Sequence, residues 1–353
     1  MGEVFNLEEL ALGGNAVRLN QNTVWTSRRI FGLTLWSDFP FVSWLAPGPT
    51  SKPNHNPSLA TADLSFTCQD DPPLSSDSEN AAGGEVFHYP CVADFYCFLE
   101  RIECHLLNPA AIHLIEIIFL GEVLSFWLER QGIPALHASA VLIGGRAVAF
   151  LSSNQGGKSG LAATLMQSAN PLLTDDILPV EEQNGVFLGR PGYPTMRMWP
   201  DEAAYFLGAY EHLPLVHPEL SKRRVPVGGD GFGSFCDTSQ PLACIYLPER
   251  RDASGASTTS EIFAVGHPGR HPSQPDGAVP NTDVEILPVS PRDAVIELIR
   301  HSFSAHQVEA AGLAPQRLNF FARLAQKVPM RRLIYPAGFE HLPRVREAIL
   351  GDR

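Results

Sequence analysis

One stretch constrains this chain more than any other. The apolar run RAVAFL leads through Ser152-Ser153-Asn154-Gln155-Gly156-Gly157 into Lys158-Ser159 and an apolar helical segment up to Gln167. A glycine-rich turn between a strand and a helix N-terminus gathers backbone N–H groups around one point, which is the geometry a phosphate group needs. Gly156 and Gly157 let those N–H groups turn inward. Lys158 is spaced to reach β- and γ-phosphates, and the Ser159 hydroxyl to ligate Mg²⁺. Ser153, Asn154, Gln155 and Gly160 complete the stretch expected to face a nucleotide. The pattern GxxxxGK[ST] is met except at its first glycine, which is Ser152 here. The alternative is a chance GKS at a strand–helix turn.

Carboxylates follow at a telling distance. The apolar run PLLT ends in Asp175-Asp176, 17 and 18 residues beyond Lys158. A strand at that position is expected to run beside the phosphate-loop strand. One carboxylate would then serve the metal and the other would accept the proton of an attacking hydroxyl. Adjacent strand residues point to opposite sides, so only one can face the substrate unless the chain is already turning there. His137 precedes Lys158 by 21 residues and reads either as a satisfied core histidine or as a catalytic group. Arg197 and the run Lys222-Arg223-Arg224 are candidates for further phosphate or substrate contacts; an ion pair and a solvated turn are the plainer readings.

Around this centre the pattern reads as α/β (α+β) with a mixed sheet. Residues 1–110 carry short aromatic and β-branched runs, among them 31–41, 86–89 and 95–98, and form a β-rich N-terminal lobe. Residues 111–353 hold the phosphate loop and a mainly helical tail, with helices expected over 294–301, 315–326 and 342–350 and a strand RRLIYP between the last two. Gly144-Gly145 and Asn184-Gly185 mark tight hairpins. The windows 70–84 and 252–283, rich in Ser, Gly, Pro and Asp, are expected to be flexible.

The block LHASAVLIGGRAVAFLSSNQGGKSGLAATLMQSANPLLTDD resembles the catalytic core of HPr kinase/phosphorylase in order and spacing. The resemblance is strong over residues 134–180. With Pro194-Thr195-Met196-Arg197-Met198-Trp199-Pro200-Asp201, the whole chain is most similar to the HPr kinase homologues of lasso peptide biosynthesis clusters. That resemblance implies an HPr kinase-like P-loop core and ATP-dependent phosphorylation of a serine near the C-terminus of a precursor peptide. It implies Asp175 as the base, His137 as its support, and Ser159 with Asp176 around Mg²⁺. The match breaks at Gly160, where HPr kinases carry Glu, and this counts against the reverse phosphorylase activity. A bifunctional HPr kinase/phosphorylase and a non-catalytic nucleotide-binding regulatory module are the competing readings. A homo-oligomer is left open.

Charge and cysteine usage narrow the rest. The formal net charge of -12 argues against nucleic acid or an anionic membrane as partner. Six cysteines without a CxxC pair read as reduced thiols of a cytoplasmic protein. The apolar run 113–128 is interrupted by Glu116 and Glu122 and reads as a buried helix too short to span a bilayer.

Overall fold

The computed structural model describes residues 25–42, 62–69, 84–153, 156–251 and 283–352. Most of the two windows expected to be flexible, together with Asn154 and Gln155, lies outside these residues.

Strands β1 (Thr26–Ile30), β2 (Leu33–Ser37), β3 (Leu64–Gln69), β4 (Glu85–Tyr89), β5 (Ala93–Cys97) and β6 (Arg101–Leu106) form one mixed sheet in the order β1-β2-β3-β6-β5-β4. The run 31–41 is not one strand. Phe31 and Gly32 take positive φ (51° and 75°) and make the tight turn between β1 and β2, while the Phe31 ring is fully buried. Helix α1 (Ile112–Ile118) passes through a π-helical turn (Phe119–Val123) into α2 (Leu124–Arg130). Their apolar side chains pack on the sheet, with the Phe119 and Phe66 rings stacked at 3.9 Å.

With a leading 3-10 turn this helical run covers Pro109–Arg130, 22 residues, long and apolar enough to cross a membrane by length and composition. The expectation of a helix too short for that is therefore corrected. Its apolar residues form the core of the lobe, 72% of the qualifying window being buried inside the protein. The same core reaches Ala135, Ile177, Tyr193 and Val308 of the following part.

The second sheet carries the phosphate loop. Its strands are β7 (Ala135–Leu136), β8 (Ala138–Ile143), β9 (Arg146–Leu151), β10 (Leu172–Thr174), β11 (Leu178–Gln183) and β12 (Val186–Gly189). β13 (Thr195–Met198), β14 (Leu215–His217) and β15 (Leu220–Pro226) form a small separate sheet. β16 (Gln240–Arg251), β17 (Glu285–Pro288) and β18 (Met330–Pro336) complete the large one, whose main path is β10-β8-β9-β16-β12-β11-β7. β16 is parallel to β9 and to β18, and most other pairs are antiparallel, so the sheet is mixed.

The Asp-bearing strand β10 does not run beside β9, as expected, but pairs with β8. The hairpin return through Gly144-Gly145 gives that flank of β9 to β8. Because β8 is antiparallel to both, β9 and β10 still point the same way and end at the same sheet edge.

Helix α3 (Lys158–Met166) follows the loop and is buried on nearly every face. α4 (Pro200–Leu207), α5 (Pro291–Arg300), α6 (Ala305–Ala310), α7 (Ala314–Lys327) and α8 (Leu342–Gly351) follow. α5, α7 and α8 match the expected tail helices to within three residues. β18 matches RRLIYP. Ser290 caps α5 through its hydroxyl, accepting from the Asp293 N–H.

Candidate active site

One edge of the large sheet collects the polar groups. β8 starts there, so His137 and Ser139 lie beside it; β9 ends there and opens into the phosphate loop; β10 ends there in the Asp pair. Open α/β sheets bind ligands at such carboxyl ends.

The loop's conformation explains its residues. Gly157 has φ +84°, and a Cβ there would lie 2.8 Å from the Tyr335 hydroxyl. Ser152 is buried, and a Cβ at residue 156 would come within 2.1 Å of its Oγ. The loop thus accommodates serine at the first motif position only because residue 156 is glycine. Lys158 Nζ donates to the carbonyls of Ser152 and Ser153, both at 2.9 Å, which holds the ammonium over the loop.

The two aspartates occupy a turn, not a strand. β10 ends at Thr174, whose hydroxyl donates to the Ile177 carbonyl at 2.6 Å, and Asp176 takes φ +76°. Strand alternation therefore does not govern them. Buried Asp175 accepts from the hydroxyls of Ser159 (2.9 Å) and Ser139 (2.5 Å) through Oδ1 and from the Arg197 backbone N–H (2.8 Å) through Oδ2. Asp176 meets His137 Nε2 at 2.8 Å and Arg197 Nη1 at 2.9 Å. The expected pairings, His137 with Asp175 and Ser159 with Asp176, are thus exchanged.

The electrostatics follow from these contacts. Burial, and then the Lys158 charge, push the His137 imidazole down to about 4 despite the hydrogen bond to Asp176. It is neutral at pH 7 and donates Nε2–H to an ionised carboxylate. Burial by itself would raise Asp176; the His137 hydrogen bond and the Arg197 charge outweigh it and hold the carboxyl well below its usual range.

Gly156, Gly157, Lys158, Ser159, Asp176, Trp199, Glu202 and Lys222 line one small polar pocket. Of the three basic residues 222–224, only Lys222 reaches it, with its ammonium 5.5 Å from the Trp199 ring centre. Strand β15 explains the rest. Arg223 donates to the Leu213 carbonyl at 2.9 Å. Arg224 is buried, bonded to Glu116 at 2.8 Å and to the Val216 carbonyl at 2.9 Å. Neither lines the pocket. Arg197 is partly buried between Asp176 and Tyr193 and orients the Asp pair. Ser139, Glu202, Arg250 and Tyr335, the last two flanking Gly157, join the site without a local sequence signal. A larger cavity of about 380 Å³ between β4 and α6 lies away from all of these groups.

Compared with known proteins, no family model and no curated protein matches the chain. Among solved structures it is similar to the Hpr(Ser) kinase/phosphatase from Coxiella burnetii, with a TM-score of 0.25 and 11% identity, over 62% of this chain and 94% of that one. A likeness at that level decides neither fold nor activity.

Proposed function

We propose that the protein is an ATP-dependent kinase that transfers the γ-phosphoryl group to a hydroxyl, namely a seryl near the C-terminus of a lasso precursor peptide. One observation carries the reading: Asp176, polarised by His137 and Arg197, opens on the same pocket as the phosphate-loop residues Gly157, Lys158 and Ser159. The seryl choice rests on sequence resemblance alone, that of the block 134–180 together with residues 194–201.

In this reading Lys158 exchanges its loop carbonyls for the β- and γ-phosphate oxygens. The seryl oxygen attacks the γ-phosphorus, its proton passes to Asp176 Oδ, and the bond from phosphorus to the β,γ-bridging oxygen breaks, releasing ADP. Such transition states are loose, so positioning and electrostatics contribute more than covalent chemistry. Neutral His137 holds Asp176 in place and leaves its charge intact. Lys222 supplies a second cation to the pocket lining.

Mg²⁺, when bound with the nucleotide, neutralises charge on the phosphate oxygens. Ser159 Oγ and Asp175 fit it, being hard oxygen donors already in mutual contact. No group of three or more His, Cys, Asp or Glu suited to a metal exists among the described residues. Mg²⁺ bound through one or two carboxylates, phosphate and water does not need one.

The test is incubation with Mg·ATP and a lasso precursor peptide carrying a serine near its C-terminus, read by mass spectrometry. A phosphoryl increment on a serine is expected. Absence of ADP production with that peptide and with other hydroxyl-bearing peptides overturns the kinase reading. Transfer to a different residue overturns only the choice of serine.

A further inference from the structure

Glu202 is the third residue of α4 and lines the phosphate pocket, yet nothing in its local sequence marks it. Its Oε2 accepts the Trp199 N–H at 3.0 Å, closing the capping box that starts the helix. That bond fixes the carboxylate and aims Oε1 at the first turn of α3. A Cβ added at Gly160 would lie 3.2 Å from this oxygen, tighter than side chains normally pack. The glycine beside Ser159 therefore leaves room for a carboxylate brought in by another helix. The pocket then gathers Lys158 and Lys222 with the carboxyl groups of Asp176 and Glu202, burial raising Glu202 above its ordinary range, and Asp175 lies in contact with Ser159.

A fixed carboxylate next to a phosphate loop repels a nucleotide unless a cation stands between them. We propose that Glu202 is a positioning residue for the divalent cation of the bound nucleotide, acting across Gly160 on the water shell beside Ser159 and Asp175. The inference rests on the nucleotide-binding part of the proposed function and adds to it a residue and the reason for Gly160. Glu202 makes the cation's contribution to nucleotide affinity depend on α4, which also presents Trp199 to the pocket.

The test is nucleotide affinity by calorimetry, ADP with Mg²⁺ and ADP with a chelator, for the full-length protein. Glu202→Gln keeps the capping acceptor and removes the charge. It is expected to lower the Mg²⁺ enhancement of ADP affinity about tenfold, the lower end of what outer-sphere partners contribute. ADP binding without metal should stay equal or tighten. Gly160→Ala, which favours the helix intrinsically, pushes Oε1 away and is expected to reduce the same enhancement while thermal unfolding shows an intact fold. A wild-type Mg²⁺ enhancement in either folded variant overturns the role of Glu202. Failure of the wild-type protein to bind ADP at all instead overturns the underlying nucleotide reading.

Discussion

Nε2 of His137 lies 2.8 Å from Oδ1 of Asp176, while the neighbouring Asp175 is engaged by Ser139, Ser159 and the Arg197 backbone. Two adjacent carboxylates thus have separate environments. Asp175 is enclosed by donors and faces the loop serine. Asp176 keeps a face on the pocket and is held by groups behind it. The left-handed turn at Asp176 creates the difference, and a regular strand would have sent the two side chains to opposite sides of the sheet.

The pair should therefore separate on mutation. Asp176→Asn is expected to keep Mg²⁺-dependent nucleotide binding and lose transfer by roughly 10²–10⁴-fold, the usual contribution of a positioned base. Asp175→Asn should weaken Mg²⁺-dependent nucleotide binding. It should also destabilise the fold, because an amide NH₂ would face the donors now bound to carboxylate oxygens. Calorimetry with and without Mg²⁺, beside turnover, distinguishes the two. The reverse outcome returns the base to Asp175, as the sequence resemblance implied.

The acid limb of the rate profile offers a second check. With Asp176 held below its usual range, kcat/KM should show no acid limb between pH 6 and 8. Arg197→Met removes one of the groups that keep it low, while the Arg197 backbone bond to Asp175 remains. The limb should then move to higher pH. An unshifted limb in an active variant means that Asp176 is not the group being titrated.

Stability should fall on the acid side as well. His137 and His217 are both pushed down to about 4, His137 by burial and then Lys158, His217 by burial and then its neighbour His113. Between about pH 6.5, where histidines in the unfolded chain protonate, and about 4, the unfolded chain holds protons that the folded one excludes. Each histidine then makes folding about tenfold less favourable per pH unit of descent, and stability regained on raising the pH is the expected sign. His217→Gln should flatten the denaturation midpoint plotted against pH in this window. An equally steep plot rejects His217 as a contributor.

How much of this could be read in the sequence varies with the range of the interaction. Gly144-Gly145, Asn184-Gly185 and Gly157 announced their turns because positive φ is a local property. The strand–loop–helix around Lys158 was legible for the same reason. The exchange of partners between Asp175 and Asp176 was not, since it follows from one backbone rotation fixed by Thr174, Ile177 and the packing of Gly192 on Thr174. Arg224 looked like a surface cation until its partner, Glu116, emerged from a helix 108 residues earlier. Glu202 and Gly160 meet only because α4 folds over α3.

Lys158→Ala should abolish most turnover, roughly 10²-fold or more, as expected for the loss of a main electrostatic contact to the transferred group. The fold should survive, because the loop's shape is also set by Gly157 at positive φ and by Ser152 packed against Gly156. The pKa of His137 should rise, since Lys158 is the second cause holding it down. NMR titration of the imidazole provides a readout independent of turnover. Wild-type activity in this variant rejects the phosphate-loop assignment.

The lobe and the phosphate-loop sheet should unfold together, and one buried ion pair tests it. Arg317 of α7 donates through Nε and Nη2 to both oxygens of Glu129 on α2, at 3.0 and 2.9 Å, and also bonds Ser302 Oγ and the Phe303 carbonyl. Both side chains are buried. Removing one partner strands the other charge away from water, at a cost of about 3–5 kcal/mol. Arg317→Met should therefore lower global stability by about that amount, and Glu129→Leu should do the same. The double variant should recover part of the loss, because no uncompensated charge remains. If α2 and α7 belong to independently folding units, Arg317→Met will instead split the denaturation curve into two transitions. A single, earlier transition followed by tryptophan fluorescence, with Trp127 reporting on the lobe and Trp199 on the pocket, is the expected result.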